Sequence, residues 1–474
     1  MSPIELDFVR SASVFDSTVF PNAQVMPWLR ARRAAVATTV TQLPLDALRN
    51  WGRDASSANV VHASGKFFAI EGIRVSTDWG HVRSWDQPII NQAEIGYLGF
   101  MAKKFDGILH VLVQAKIEPG NINVVQISPT LQATKSNYTQ VHQGKRPRLL
   151  EYFNGEKSVK LLLDQLQSEQ GARFLRKRNR NIIIEIPVDE HIEEHPDFIW
   201  LTIGQIKRLL REDNVVNMDT RTVLSGIGYG AYSAQTMEGV FALAPSGRQR
   251  RLMLSSALVE ERSFHDFRTI ISWITQLKSR YELSVDRVPL NSIAQWHEIQ
   301  GEIRREDGKY FSVIGVRVEI ENREVVSWDQ PMIRPAQEGL MAFIVRPIDG
   351  IYHFLVQAKL EAGNFDIIEL APTVQCLTGN YRTGQNEYSV PYINEVLSAP
   401  QERILLSSMQ SEEGGRFFRE QNRNMIVEVG DEFPVDDVSE NYCWMTLNQM
   451  LRLIEFNNYL NIAARSLISA ISFD

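Results

Sequence analysis

The pattern of hydrophobic and polar residues along the chain predicts a mixture of helices and strands. An amphipathic helix is predicted at Phe264–Tyr281, where apolar residues recur at helical spacing. Strands are predicted where apolar and β-branched residues form short runs, at Phe67–Ser76, Gly107–Ile117, Asn123–Ser128, Tyr310–Ile320, Gly350–Leu360 and Asp366–Leu370. Asp106-Gly107 and Asp349-Gly350 come directly before two of these runs and are typical of hairpin turns.

The segment that follows the first group of strands is predicted to return to helix. A helix is expected at Ser158–Arg178, then a short apolar strand at Ile182–Ile186, then a closing helix at Thr202–Arg211. Strands that pair in hairpins and are flanked by helices favour an α+β fold over a doubly wound parallel sheet. We therefore expect a mixed sheet with helices packed against it.

The same order of segments occurs twice in the chain. Ser84-Trp85-Asp86-Gln87-Pro88 recurs 243 residues later at 327–331, and Leu112-Val113-Gln114-Ala115-Lys116 recurs with the same offset at 355–359. Gly65–Gln132 and Gly308–Gln375 align without a gap and share 31 identities in 68 positions. Such self-similarity indicates a tandem duplication.

The duplication changes the expected number of domains. A length of 474 residues alone predicts about three domains of roughly 150 residues. The repeats instead predict a first copy with an N-terminal helical segment at 1–227, a linker or arm at 228–261, and a second copy at 262–474. The basic run Arg248–Arg251 in the linker is interpreted as a solvated surface.

Composition and charge exclude several classes of protein. The chain is 44% hydrophobic and 23% charged, which is typical of a folded globular protein. Its 50 basic and 57 acidic residues give a net charge of −7, so we expect no nucleic-acid or anionic-membrane partner.

The cysteines and the hydrophobic runs predict a cytoplasmic protein. Cys376 and Cys443 are the two cysteines, and neither belongs to a CxxC motif or a Cys/His cluster, so neither a disulfide framework nor a zinc site is expected. Met1–Asp7 has no basic head before an apolar stretch, and the chain has no run of 18 apolar residues. A signal peptide and a transmembrane helix are therefore not expected.

Three polar residues that both copies keep on one strand are the best candidates for chemistry. Gln114, Lys116 and Glu118 lie at i, i+2 and i+4, so their side chains share one face of the strand. An amide, an ammonium and a carboxylate on one face suit a polar cavity, although a solvent-facing strand with an ion pair has the same pattern. His110 is in the same register and is either a general acid/base or a structural histidine. The second-copy equivalents of the three are Gln357, Lys359 and Glu361.

Candidate ligand-binding residues lie outside that strand. Trp85 and its equivalent Trp328 either stack on a nucleobase or sugar ring or pack in the core. The loop 137–148 carries Lys145, Arg146 and Arg148, which suit a diphosphate, while its second-copy equivalent keeps the tyrosine, Tyr381, with fewer cations. The first copy is therefore expected to hold the active site.

A further motif, Gln-Ser-Glu-x-Gly-x-Arg-Phe, is present in both copies. It occurs at 167–174 and 410–417, within the predicted helix of the first copy and at the equivalent place in the second. Glu169 and Arg173 are expected to form an i, i+4 ion pair on that helix. A role in a site and a role in packing are equally compatible with the motif.

Common catalytic motifs are missing from the sequence. It contains no GxxxxGK[ST], no GxSxG, no HExxH and no GxGxxG after a predicted strand. A nucleoside triphosphatase, a serine hydrolase, a zinc protease and a standard NAD enzyme are therefore not indicated.

Together, the repeated motifs resemble the NDP-hexose 2,3-dehydratase family of deoxysugar biosynthesis. The resemblance rests on Ser-Trp-Asp-Gln-Pro, Val-Gln-Ala-Lys-x-Glu-x-Gly-Asn, Pro-Thr-x-Gln and Gln-Ser-Glu-x-Gly-x-Arg-Phe, in both copies and in order. It implies two tandem Nudix-like modules and a homodimer. The helix of a Nudix hydrolase carries a carboxylate-rich magnesium motif, which the strings at 167–174 and 410–417 lack, so no metal and no cofactor are expected.

The family resemblance also implies a reaction. The substrate would be a dTDP-linked 4-keto-6-deoxyglucose, whose C4 ketone acidifies the proton on C3. A base removes that proton, and the C2 hydroxyl leaves as water when a general acid protonates it. The product is a 3,4-diketo-2,6-dideoxyhexose, and no redox cofactor takes part.

Under this resemblance, the candidate residues acquire roles. Glu118 or His110 would be the base or acid, and Lys116 and Gln114 would stabilise the enolate oxygen or donate to the leaving hydroxyl. Substrate binding is assigned to the remaining candidates of the first copy, namely Trp85, Gln87, Thr130, Gln132, Tyr138, Lys145, Arg146, Arg148 and Arg173, with Trp328, Tyr381 and Arg416 among their second-copy equivalents. The alternatives are a non-catalytic nucleotide-sugar binding protein and a Nudix-type pyrophosphohydrolase.

Overall fold

The computed structural model of the protein describes residues 2–139, 146–243, 246–321, 326–378 and 389–474. Within those ranges, no helix is long and apolar enough to cross a membrane. The fold is α+β, with mixed and antiparallel sheets in two repeated halves, as the sequence predicts.

Several helices occupy equivalent places in the two copies. They are α1 Pro3–Ala12, α2 Asn22–Ala34, α3 Lys135–Tyr138, α4 Ile203–Leu209, α5 Met218–Ser225, α6 Ala234–Leu243, α7 Arg248–Leu258, α8 Phe267–Arg280, α9 Ile393–Leu397, α10 Leu447–Ile454 and α11 Ile462–Ser469. Side chains cap several of them: Thr202 and Thr446 form capping boxes at α4 and α10.

The strands of the first copy are three to ten residues long. They are β1 Thr38–Leu43, β2 Trp51–Arg53, β3 Val60–His62, β4 Ala69–Thr77, β5 Ser84–Asn91, β6 Tyr97–Phe105, β7 Ile108–Ile117, β8 Val125–Pro129, β9 Leu131–Ala133, β10 Lys160–Ser168, β11 Arg178–Glu185 and β12 Phe198–Leu201.

The strands of the second copy repeat this order. They are β13 Leu283–Val288, β14 Trp296–Ile299, β15 Glu302–Arg305, β16 Phe311–Ile320, β17 Ser327–Pro335, β18 Gly339–Ile348, β19 Ile351–Lys359, β20 Glu369–Ala371, β21 Val374–Leu377, β22 Ile404–Ser411, β23 Gln421–Glu428 and β24 Tyr442–Thr446.

Each copy builds one mixed sheet from its own strands. In the first copy the order is β10-β11-β6-β7-β12, with β8 beside β7 and β9 beside β6, and β11 runs parallel to β6. The second copy has the order β22-β23-β18-β19-β24, with β18 and β23 parallel. The β6–β7 hairpin turns at Asp106-Gly107, where both residues have positive φ, so the turn predicted from the sequence is confirmed.

The smaller antiparallel sheets exchange one strand between the copies. β1 of the first copy pairs with β16 of the second, with Val40 opposite Val318. β13 of the second copy pairs with β4 of the first, with Val285 opposite Val75. Each small sheet therefore contains chain from both copies.

The hydrophobic core also crosses the boundary between the copies. One continuous cluster contains Ile127 and Val223 of the first copy together with Phe343 and Leu467 of the second. Removing this apolar surface from water is the main stabilising effect, and it depends on both copies being folded together.

The predicted helix at Ser158–Arg178 is wrong. The segment forms the strand β10, a turn, and the start of the strand β11, and β10 pairs antiparallel with β11. Glu169 and Arg173 therefore lie in the turn, not on a helix. A register shift between Leu161 and Leu163 interrupts the alternation of β10, so the strand period is not visible in the sequence.

The connecting segment is also more structured than a surface arm. It contains α6 and α7, and Leu252, Met253, Ala257 and Leu258 of α7 are buried. Ser256 of α7 donates a hydrogen bond to the carbonyl of Tyr352 on β19. In the first copy, Ser11 of α1 makes the same bond to Leu109 on β7, so α7 occupies the place in the second copy that α1 occupies in the first.

Candidate active site

A cavity of about 480 Å³ lies between the two copies. The first copy contributes the end of β7, the strand β9, and residues around Trp51 and Phe68. The second copy contributes the start of β17 and the turn between β22 and β23. Its size is in the range of small-molecule binding sites.

The end of β7 presents two charged residues of the predicted strand face to the cavity. Lys116 and Glu118 both line it, as does Gln132 on β9. Nζ of Lys116 donates to the carbonyl oxygen of Gln132 at 2.7 Å. Nε2 of Gln132 donates to Oε1 of Glu118 at 2.6 Å, so the three side chains hold one another in place.

Further amides hold the Glu118 carboxylate, which is 4% exposed. Its Oε2 accepts hydrogen bonds from Asn121 at 3.1 Å and from Asn217 at 3.3 Å. Asn217 caps the N-terminus of α5 through its Oδ1 and also donates to Oε1 of Gln132. Both oxygens of Glu118 are therefore occupied by amide donors.

The turn after β22 supplies a cation and a carboxylate from the second copy. Arg416 lines the cavity, its guanidinium lies 4.2 Å from the ring centroid of Phe68, and its Nε donates to Gln92. Burial lowers the pKa of Arg416, while the nearby carboxylates of Glu413 and Glu118 oppose that shift. Oε1 of Glu413 accepts the N–H of Gly415 at 3.0 Å.

A glycine of the first copy fixes the position of this turn. The N–H of Gly120 donates to the carbonyl of Gly414 at 2.7 Å, and the carbonyl of Gly120 accepts from Arg419 at 2.7 Å. A Cβ at position 120 would stand 1.7 Å from the carbonyl oxygen of Phe417, so glycine is required here.

Aromatic rings and a further cation form another part of the cavity lining. Trp51, Phe68 and Trp328 line it. Nε1 of Trp51 donates to the carbonyl of Asp329 at 2.7 Å, which fixes a first-copy ring on a second-copy strand. The guanidinium of Arg49 pairs with the carboxylate of Asp329 at 3.0 Å and remains about half exposed.

Burial and like charges shift the pKa values of the groups deepest in the cavity. Burial lowers the pKa of Lys177 to about 8, although Glu169 opposes the shift. Burial also raises the pKa of Glu169, with Lys177 and Arg465 opposing. For Asp219, burial and the neighbouring carboxylates of Glu118, Glu413 and Glu169 raise the pKa well above its ordinary value.

Some residues predicted to act beside Lys116 lie elsewhere. Gln114 is half-buried on β7 outside the cavity lining. His110 is 2% exposed near the start of β7, with Nε2 2.7 Å from Oγ of Ser17 and Nδ1 2.9 Å from the carbonyl of Ile108. Thr130 is buried and bonds the backbone of Met101 and Leu112 within the sheet. The positions of His110 and Thr130 fit structural roles.

The structure does not place Trp85, Gln87 and Arg173, which were predicted to bind substrate, in the cavity lining with Lys116. Trp85 packs with Ala362 of the second copy, and its Nε1 donates to Gln87 at 2.9 Å. Gln87 donates to the carbonyl of Ala172 at 3.0 Å. Arg173 lies 4.3 Å from the ring centroid of Phe311, near Glu361. The physical reason is the exchange between the copies, which places each turn against the other copy's strand.

Trp85, Gln87 and Arg173 thus belong to a second arrangement related to the cavity by the duplication. We call it the twin arrangement, and define it by Lys359, Glu361, Gln375, Arg173 and Trp85. Nζ of Lys359 donates to the carbonyl of Gln375 at 3.3 Å, and Nε2 of Gln375 donates to Glu361 at 2.8 Å. Gln357, like its equivalent Gln114, is half-buried on its strand.

The predicted diphosphate loop is not part of the cavity lining in the described portion of the chain. Arg146 pairs with Glu156 at 2.6 Å and Arg148 pairs with Glu193 at 3.0 Å, in each case at the surface. Tyr138 stacks against Tyr97, with 5.3 Å between ring centroids. The predictions for Lys145 and Tyr381 fall outside the described residues.

Several lining residues were not predicted from the sequence. The most informative are those whose equivalents differ between the copies: Glu413 has the equivalent Gln170, Asp219 has Ala463, and Lys177 has Glu420. Identity between the copies marks positions that both keep, so it does not reveal positions where only one copy carries a charge. Across the described residues, no group of His, Cys, Asp and Glu has the arrangement of a metal site.

The fold defines a duplicated α+β protein whose single chain encloses a cavity between its two halves. The site combines cations, buried carboxylates and aromatic rings. The sequence model of the NDP-hexose 2,3-dehydratase family matches the chain at 22–227 and again at 267–471. The chain belongs to this family.

Characterised relatives are similar over nearly the whole chain. A protein from Saccharopolyspora spinosa is 45% identical over 98% of this chain and 94% of its own length. Others are from Amycolatopsis orientalis, at 39% identity over 98% and 92%, and from Streptomyces violaceoruber, at 42% over 94% and 95%. Each of the three is named dTDP-4-dehydro-6-deoxy-alpha-D-glucopyranose 2,3-dehydratase.

Proposed function

We propose that the protein removes water across C2 and C3 of dTDP-4-keto-6-deoxyglucose in the cavity between the copies. The names of its relatives support this substrate and this reaction. The observation that carries the proposal is the convergence of cations and buried carboxylates from both copies in one cavity with an aromatic wall.

The reaction requires charge stabilisation and proton transfer. Loss of the C3 proton produces an enolate whose negative charge collects on the C4 oxygen. Cations that already face that oxygen stabilise the transition state because they need no reorganisation. The ammonium groups of Lys116 and Lys177, both in the lining, are suited to this role.

The remaining lining residues are suited to hold the nucleotide part of the substrate. Arg416 and Arg49 carry positive charge that matches a diphosphate, and guanidinium groups bind phosphate oxygens in pairs. Trp51 and Trp328 offer ring surfaces for the thymine or the hexose. Glu118 and Gln132 would maintain the positions of these groups through their hydrogen-bond network.

The test is an incubation of the purified protein with dTDP-4-keto-6-deoxyglucose, with and without a chelator, followed by mass spectrometry. Loss of one water in both conditions is expected. Release of dTMP with magnesium would instead indicate a pyrophosphohydrolase, and an unchanged substrate would indicate a binding protein.

A pair of variants tests which arrangement is active. Lys116→Ala is expected to lower kcat by at least about 100-fold, because it removes a cation facing the developing charge. Lys359→Ala changes the equivalent lysine of the twin arrangement and is expected to keep most of the activity. Loss of activity only in Lys359→Ala would place the reaction in the twin arrangement.

The proposal includes the fold of each copy, the cellular compartment and the oligomeric state. We infer that each copy is a Nudix-like module, that the enzyme works in the cytoplasm, and that two chains form a homodimer. The mixed sheet with flanking helices in each copy supports the first. Light scattering should give twice the chain mass of 54.1 kDa for the dimer, and a monomer mass would reject it.

A further inference from the structure

Three carboxylates of the cavity lining, those of Glu169, Asp219 and Glu413, have a buried oxygen with no hydrogen-bond partner among the described residues. Glu169 has an equivalent glutamate in the other copy, Glu412, so only Asp219 and Glu413 distinguish the cavity from the twin arrangement. Asp219 is the second residue of α5 and is 3% exposed; its Oδ1 is buried and unpartnered. Glu413 lies in the turn after β22, and its Oε2 is buried and unpartnered as well. Both residues line the cavity. Leaving a buried polar atom unsatisfied is costly, so such atoms in a cavity indicate a missing ligand.

Glu118, the carboxylate that the sequence favours as base, differs in this respect. Its oxygens accept from Gln132, Asn121 and Asn217. The twin arrangement contains the corresponding contacts, in which Gln375 donates to Glu361 and Asn461 donates to Gln375. Because the network is present in both copies, the shared fold is enough to explain it. The three amide donors also leave Glu118 few lone pairs with which to accept a proton from a substrate.

Asp219 and Glu413 occur on only one side of the duplication. The equivalent of Glu413 is Gln170, whose amide donates to Glu412, and the equivalent of Asp219 is Ala463. The cavity therefore has two carboxylates, one from each copy, where the twin arrangement has an amide and a methyl group. This is the chemical difference expected between a site that transfers protons and one that does not.

The surroundings of the two carboxylates assign different protonation states to them. Neighbouring carboxylates in a buried site do not both ionise, because their charges repel. Asp219 is almost fully buried, and burial and its acidic neighbours raise its pKa well above the ordinary value, so it keeps a proton. For Glu413, burial and the carboxylates of Glu118 and Glu169 raise the pKa to about 7, while Arg416 and the N–H of Gly415 oppose the shift. Near neutral pH a substantial fraction of Glu413 is therefore charged and can accept a proton.

We propose that Glu413 and Asp219 are the base and the acid of the dehydration, which rests on the function proposed above. The Glu413 carboxylate takes the proton from C3, and the electron pair of the broken C–H bond forms the C3–C4 enolate. That pair then forms the C2–C3 double bond, the C2–O bond breaks, and Asp219 protonates the departing hydroxyl to give water. The remaining 3-hydroxy enol moves a proton to C2 and becomes the 3,4-diketone. Transfer of the proton from Glu413 back to Asp219 restores the enzyme.

The experiment separates the two roles by isotope exchange. Wild type, Glu413→Gln and Asp219→Asn are incubated with dTDP-4-keto-6-deoxyglucose in D₂O, and proton NMR follows both the H3 signal of the remaining substrate and product formation. Glu413→Gln should lose both exchange and water release, each by at least about 100-fold. Asp219→Asn should lose water release to a similar extent but keep exchange at C3, because its base is intact.

The matched control is Gln170→Asn, at the twin position of Glu413, which should keep wild-type turnover. Circular dichroism and thermal unfolding establish that each variant is folded. If Glu413→Gln or Asp219→Asn turns over within about tenfold of wild type, the assignment of this acid–base pair is wrong. If Glu413→Gln still exchanges the C3 proton, Glu413 is not the base. If wild type itself releases no water, the proposed function is wrong. If wild type and both variants release water, only the assignment of Glu413 and Asp219 is wrong.

Discussion

At the residue scale, one pair of equivalent polar side chains buried between the copies differs in charge. Glu369 of the second copy accepts a hydrogen bond from Ser168 of the first at 2.7 Å. Its equivalent, Gln126, donates to Ser411 across the same boundary at 2.7 Å. An amide and a carboxyl group therefore fill the same structural role, but only the carboxyl group can ionise.

This difference predicts a pH-dependent stability. Burial raises the pKa of Glu369 from 4.5 to about 8, with Glu361 adding to the shift and Ser168 and Arg465 opposing it. Between those values the folded protein binds more protons than the unfolded chain, so the contribution to the free energy of unfolding falls as the pH rises. Glu369→Gln should remove this loss. The free energy of unfolding of Glu369→Gln relative to that of wild type should therefore increase between pH 4.5 and pH 8, by up to about 1.4 kcal/mol per pH unit.

Urea unfolding at several pH values measures the effect. Gln126→Glu is the matched reverse change, and it should make the protein less stable as the pH rises over the same interval. A difference between Glu369→Gln and wild type that does not vary with pH would contradict the prediction.

At the element scale, the sequence predicted most strands and several helices, and it failed where local pattern and tertiary pairing disagree. The helix α8 and the strands β4, β7, β16 and β19 lie within about three residues of their predicted bounds. β10 does not, because a bulge hides its alternation and only the pairing with β11 makes it a strand. The turn at the end of β10 carries Glu169 and Arg173, so the helical i, i+4 geometry predicted for that pair is also absent.

Gly120 and Gly363 link elements of opposite copies and provide a matched pair of variants. A Cβ at either position would stand under 2 Å from a carbonyl oxygen of the facing turn. Gly120→Ala and Gly363→Ala should each lower the free energy of unfolding by about 1–3 kcal/mol through overpacking. Only Gly120→Ala should also lower kcat strongly, because it displaces the turn that carries Glu413 and Arg416.

Unfolding curves and turnover of the two glycine variants check this expectation. Similar losses of activity in both variants would show that displacement of the turn is not the cause, and would direct attention to global stability instead.

At the scale of the whole molecule, the duplication was visible in the sequence but the exchange between copies was not. Repeat alignment shows that β1 and β13 are equivalent, and it contains no information about which copy each strand pairs with. The same is true of the candidate site, whose residues could be named from the sequence but not grouped. Lys116, Glu118, Gln132, Trp328 and Arg416 were all named from the sequence, but their union in one cavity follows from cross-copy contacts alone.

The exchanged strands and the shared core predict that the two copies unfold together. Fluorescence and far-ultraviolet circular dichroism should give coincident transitions in urea, since neither copy can keep its small sheet without the other. Two separated transitions would contradict this expectation. The addition of dTDP should shift the single transition to higher urea concentration, by an amount that grows with the logarithm of the dTDP concentration relative to its Kd.

The composite cavity has a practical consequence for building hybrid enzymes. The segment around 228–261 looks like a natural junction at which to join the first half of one family member to the second half of another. Lys116 and Asp219 come from the first half, and Glu413 and Arg416 come from the second. The cavity of every such hybrid is therefore lined by residues from both parents. Substrate preference in a hybrid would therefore report how well two separately evolved walls fit each other, and would not be inherited from either half.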